Sequence, residues 1–173
     1  SPGQAEALLG ETSVQEIYLD FLNLDELSQL RECVAKVRDS GKEAVVVLPR
    51  ILKPGEENMV KMLAKIDGDV LVRNTGQLDL LQGWGVLPGT IRADFSFNIA
   101  NSESWGALAS GLKRFAPTHD LNGLQIAALA DALDDKEAME VILHHHLPIF
   151  HTEHCVFCRF MSSGSSKRDC GQP

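Results

Sequence analysis

The chain has 173 residues, is 44% apolar and carries a formal net charge of −8, which suits one domain with its own buried core. That charge excludes a broad, sequence-independent grip on nucleic acid by this segment, although a local basic patch is compatible with it. No run of eighteen apolar residues occurs, so no transmembrane helix is expected, and no signal peptide is visible.

The first twelve residues read as a frayed lead-in, and the opening Ser-Pro-Gly-Gln suggests an expression scar or a fragment of something longer. Gln15 to Leu19 reads as a strand. Leu24 to Asp39 follows as a helix, with Leu27, Leu30, Val34 and Val37 on one face at helical spacing. Asn23 is its expected N-cap, Glu26 completes a capping box and Gly41 stops it. Cys33 borders the apolar stripe and is expected to be a core thiol.

Glu43 to Leu48 is a continuous apolar run after its first residue, the pattern of a strand buried on both faces of a parallel sheet. Pro54 to Ile66 is the next expected helix, Asp69 to Val72 the third strand and Gln77 to Gln82 a short helix. Thr90 to Ala93 is expected to be strand four, Ser102 to Leu112 a helix and Arg114 to Pro117 strand five. Asn122 caps a helix over Leu124 to Leu133, and Glu140 to His144 is expected to be strand six. The fold class is therefore α/β: repeated βα units with a parallel sheet, either open and doubly wound or part of a TIM-like barrel, since a closed barrel takes about 250 residues. The organisation expected is a βα scaffold over 1–138, then a last strand with a Cys/His loop over 139–173.

Chemistry in such folds sits at the carboxyl ends of the strands. Reading past each strand gives Asp20, Arg50, Arg73 with Asn74, Asp94 with Asn98, His119 with Asp120, and His144 to His146. Any one of these could simply be a solvated loop residue. Together they mix cations, carboxylates and imidazoles on one rim, suited to an anionic substrate with an acid/base group beside it. Arg50, Arg73, Asn74, Asp94, His144 and His146 are the candidate catalytic residues. Arg50 and Arg73 follow neighbouring strands, so their guanidinium forks could clamp one carboxylate or phosphate. On a strand, His144 and His146 would share a face.

The C-terminal stretch concentrates the remaining chemistry, with Cys155, Cys158 and Cys170 spaced C-x2-C-x11-C and five of the six histidines nearby. Thiolates two residues apart can reach one metal or cluster, and a third can fold back over the Ser/Gly-rich loop between Ser162 and Ser166. His151 and His154 flank that loop as candidate cofactor-binding residues that donate hydrogen bonds to the centre. Buried reduced thiols in a small hairpin are the plainer alternative. Cysteines crowded at one end fit metal ligands in a reducing compartment better than a disulfide framework, which implies an intracellular location in cytoplasm or plastid.

The run EVILHHHLPIFHTEHCVFC, continued by CG-x-P, resembles the signature region of the collagenase-like peptidase U family, number thirty-two. The likeness is closest to its large members that hydroxylate ribosomal RNA, and EIYLDFLNLDEL, LVRNTGQLDLL and DFSFNIANSESW extend it over most of the chain. The resemblance implies a TIM-like barrel with an oxygen-sensitive iron–sulfur cluster on four cysteines and, despite the family's peptidase name, hydroxylation without molecular oxygen. It implies RNA as substrate, ribosomal or transfer, and a small anionic co-substrate such as prephenate as oxygen donor. Cys155 and Cys170 fall on the second and third cluster positions. Pro148 stands where smaller relatives have their first cysteine and Cys158 is additional, so Cys158 is taken as the third ligand, and the fourth as a histidine such as His154 or a residue beyond Pro173. A peptidase of the same family and a zinc-stapled interaction domain are the alternative readings. Against the peptidase, the sequence holds no H-E-x-x-H and no G-x-S-x-G.

Overall fold

Five short runs become strands because each is apolar enough to be covered on a face: β1 (Glu16–Leu19), β2 (Glu43–Val47), β3 (Asp69–Val72), β4 (Ile91–Ala93) and β5 (Arg114–Phe115). The computed structural model describes residues 1–21, 27–146 and 159–161. It divides into two compact units, Ser1–Val141 and Ile142–Pro173, and the sheet belongs to the first. All four pairings are parallel and the strands lie in the order β1-β2-β3-β4-β5. A doubly wound sheet reverses its order part way, and this one does not; its consecutive order is compatible with one wall of a barrel.

Among the described residues the α-helices that connect and flank the strands are α1 (Pro2–Leu9), α2 (Leu27–Asp39), α3 (Glu57–Leu63), α4 (Thr75–Gly83), α5 (Ser102–Leu108) and α6 (Gly123–Asp131). Strand alternation sends Ile17, Leu19, Val46, Val70, Val72, Ile91 and Phe115 to one face, where they join Leu30, Val34, Val37, Val60, Leu78 and Leu81 of the helices in one core. The other face carries only a small apolar cluster, Val45, Val47 and Leu71. Cys33 is buried in the main core as expected, and burial pushes its thiol up.

The polar residues of that second face meet at the amino ends of the strands. Arg92, with no exposed side-chain surface, donates to Glu16 of β1, to Glu43 of β2 at 2.5 Å, to Asp69 of β3 at 2.9 Å and to Glu140 at 2.8 Å. Tyr18 donates to Glu140 and accepts from Arg92 at 2.9 Å. Arg114 of β5 donates to Glu16, and Lys113 reaches Asp69 at 2.8 Å and Glu43 at 3.2 Å. In a flat sheet β1 and β5 would lie about 19 Å apart, four strand spacings, beyond the reach of one Arg–Glu pair. The sheet is therefore curled, with these charges on its concave side.

Two expectations need correction. The lead-in is helical: Pro2 suits a first turn, Gln4 reaches back to the terminal amine at 2.8 Å and Ala5 is buried, with Leu9 packed on the core. Strand six shrinks to one parallel bridge from Met139 to Phe115, with Glu140 N–H donating to the Phe115 carbonyl at 2.9 Å. The ladder stops where Glu140 commits its carboxylate to Arg92, and Val141 is exposed. His144 and His146 thus share no strand face. Boundaries shift elsewhere: α3 starts at Glu57 because Gly55 takes a left-handed turn with φ of 89°. The expected cap Asn23 lies outside the described residues.

Arg92 cannot be removed without leaving carboxylates facing each other, and such losses run to about 3–5 kcal/mol. Glu43 is half-exposed and regains water, so Arg92→Met should cost toward the lower end, read as a lowered midpoint in urea. A loss below about 0.5 kcal/mol would put the pairs in the class of surface bridges. Burial pushes the Glu16 carboxyl up, but hydrogen bonds from Arg92 and Arg114 outweigh it and hold it below its ordinary value. Its contribution is then complete above the unfolded carboxyl range, near pH 4.3, and is lost as pH falls through the lower folded value. Glu16→Gln should flatten that acid limb of a stability-against-pH profile; an unchanged limb would show that Glu16 does not carry it.

Candidate functional site

The opposite, carboxyl end of the same strands gathers the residues expected at the rim. Asp20 follows β1, Arg50 follows β2, Arg73 follows β3, Asp94 follows β4 and His119 follows β5. Arg73 Nη2 donates to Asp20 Oδ2 at 2.7 Å. Asp94 Oδ2 lies 3.7 Å from both Arg73 Nε and Arg50 Nη2. Those separations allow Coulomb attraction but exceed a hydrogen bond. Arg73 Nε is buried and has no hydrogen-bond partner among the described residues. The Arg50 guanidinium sits 5.0 Å from the centre of the Phe95 ring, and Phe95 stacks on His119 with centroids 3.9 Å apart.

Two polar side chains hold this rim rigid. Asn74 caps α4, its Oδ1 accepting from Gln77 N–H at 2.9 Å while its Nδ2 donates to the Arg50 carbonyl at 3.2 Å. Gln77, fully buried, accepts from Arg73 N–H at 2.8 Å and donates to the Pro49 carbonyl at 2.6 Å. Together they tie the end of β2 to the end of β3. Asn74 was expected to act on substrate; with both ends engaged, it is placed to position Arg50 and Arg73. Gln77 was missed, although Asn74 followed three residues later by a glutamine is a capping-box pattern.

Asp94 is held differently. It is 7% exposed, and the Ser96 hydroxyl lies 3.2 Å from its Oδ2 but only 2.7 Å from the Arg73 carbonyl. One hydroxyl has one proton, and the shorter contact claims it. Charge, more than hydrogen bonding, therefore keeps Asp94 in place. The Asp94–Phe97 turn ends in Asn98 with φ of 54°, a left-handed conformation that asparagine tolerates.

His144 and His146 belong to the second unit, where their rings lie 5.8 Å apart, edge to face. His151, His154, Cys155, Cys158 and Cys170 lie outside the described residues. Their chemistry, thiols with imidazoles, matches a soft metal or an iron–sulfur cluster. Among the described residues no group of three or more His, Cys, Asp or Glu could hold a metal ion. Two clefts lined by described residues, of about 620 and 310 Å³, lie elsewhere, against α2 and at the amino ends of β2 and β3. No helix among the described residues is long and apolar enough to cross a membrane. Comparison with family models, curated proteins and solved structures gives no match.

Replacing Asn74 by alanine removes a cap worth about 1 kcal/mol and frees the Arg50 carbonyl. Asn74→Ala should lower stability by that amount in urea melts, while Asn74→Asp, which keeps the cap acceptor but loses the donor to the Arg50 carbonyl, should recover part of it. Equal stability in all three proteins would show that the cap does not anchor the rim.

Proposed function

We propose that this chain is the rim-bearing part of an iron–sulfur-dependent hydroxylase that works on RNA without molecular oxygen. The observation that carries the reading is the convergence of Arg50, Arg73 and Asp94 at the carboxyl ends of consecutive parallel strands, where βα folds place their chemistry. The resemblance of the Cys155–Cys170 segment to the collagenase-like U family supplies the cofactor and the substrate class. Cys155, Cys158 and Cys170 would hold the cluster, with His151 and His154 donating hydrogen bonds to it. When bound, a cluster of this kind supplies one-electron chemistry. Arg50 and Arg73 bind and orient the anionic part of the substrate or of a co-substrate such as prephenate. Gln77 and Asn74 keep those two arginines in register. A barrel closed by further strands completes the proposed architecture.

A cluster on thiolates absorbs visible light and gives a brown protein, whereas zinc is colourless. Purified without air, the protein should contain iron and sulfide in equal amounts, and Cys155→Ala or Cys170→Ala should remove the brown absorption and RNA hydroxylation together. Full iron content and activity in both variants would overturn the cluster assignment. A colourless protein with stoichiometric zinc would favour the interaction-domain reading.

A further inference from the structure

We infer that the space between Arg50 and Arg73 is an oxyanion site, and that Asp94 is an internal anion which an incoming carboxylate or phosphate displaces. The inference rests on reading the rim as the substrate site and adds the chemistry of what binds there. Four charges meet at this point, Arg50 and Arg73 against Asp20 and Asp94. The set is neutral, so an added anion gains most when one of the two carboxylates leaves.

The two carboxylates are not held alike. Asp20 accepts a hydrogen bond from Arg73 at 2.7 Å and is partly exposed. Asp94 stands 3.7 Å from a donor on each arginine and hydrogen-bonds to neither. A buried guanidinium N–H without a partner is costly, and Arg73 Nε is such a group among the described residues. An oxyanion seated about 2.8 Å from Arg73 Nε and Arg50 Nη2 would form charge-assisted hydrogen bonds at both. Ser96 and the backbone keep the arginine on the β3 side fixed, since Ser96 donates to the Arg73 carbonyl and Gln77 accepts from the Arg73 N–H. Arg50 is steadied on its outer side by the Phe95 ring. The donors are thus preorganised, and Asp94, which hydrogen-bonds to neither arginine, is the carboxylate that an oxyanion would replace.

This arrangement makes a prediction of unusual sign. Removing a rim carboxylate should improve binding rather than harm it. The test is isothermal titration of the full chain with malonate and, separately, with inorganic phosphate, at constant ionic strength. Asp94→Asn, which keeps the shape, should bind one or both anions about ten-fold more tightly than the unaltered protein. Arg50→Met and Arg73→Met should each weaken binding about ten-fold or more. Arg50→Lys and Arg73→Lys, which keep the charge without the fork, should fall between and serve if a methionine variant does not fold. Preference for malonate would identify a small carboxylate ligand, and preference for phosphate a phosphorylated one. Unchanged or weaker binding of both anions by Asp94→Asn would overturn the inference, as would unaltered binding by both arginine variants. The titration needs neither cluster nor RNA, so an absence of iron would defeat the hydroxylase reading while leaving this result standing.

Discussion

One buried guanidinium, in the first unit, ties three strands and the segment beyond β5 to a fourth strand. Arg92 leaves β4 on the concave side of the sheet and meets carboxylates from β1, from β2, from β3 and from the segment beyond β5. An arginine with no exposed surface is tolerable only when its charge and donors are matched, and four acidic partners achieve that. Because those partners come from strands on one flank of β4 and from beyond β5 on the other, a curled sheet brings them all within reach of Arg92.

The curl also sets the opposite end. Each strand that carries a rim residue carries a residue of the ionic lattice at its start: Glu16 with Asp20, Glu43 with Arg50, Asp69 with Arg73, Arg92 with Asp94. Gln77 and Asn74 then lock β2 to β3 locally. Asp94 is tied to both arginines by charge without a hydrogen bond to either, which is why the proposed exchange for a ligand falls to it.

The strands were legible in the sequence because runs such as Val45 to Val47 and Val70 to Val72 have no polar interruption. Gly41 and Asn122 likewise announced helix ends through local chemistry alone. The rim followed from a topological rule, and Asp20, Arg50, Arg73 and Asp94 do lie together. The lattice was not legible. Glu16, Glu43, Asp69 and Arg114 each look like a solvated strand end, and only contacts spanning up to 98 residues reveal them as partners. Strand six failed for a related reason: Val141 to Leu143 have strand composition, but pairing beyond Glu140 is decided by tertiary contacts. The helix α1 was missed because Ser1, Pro2 and Gln4 were read as a lead-in and not as start signals.

The contact that most directly reports the curl is Glu16 with Arg114, one on β1 and the other on β5. A double-mutant cycle with Glu16→Gln and Arg114→Met, measured by urea unfolding, isolates their coupling from each residue's other contacts. A curled sheet predicts a favourable coupling of about 1 kcal/mol or more, since both side chains are three-quarters buried. Additivity within about 0.3 kcal/mol would mean that β1 and β5 do not meet across the concave face, and would contradict the account.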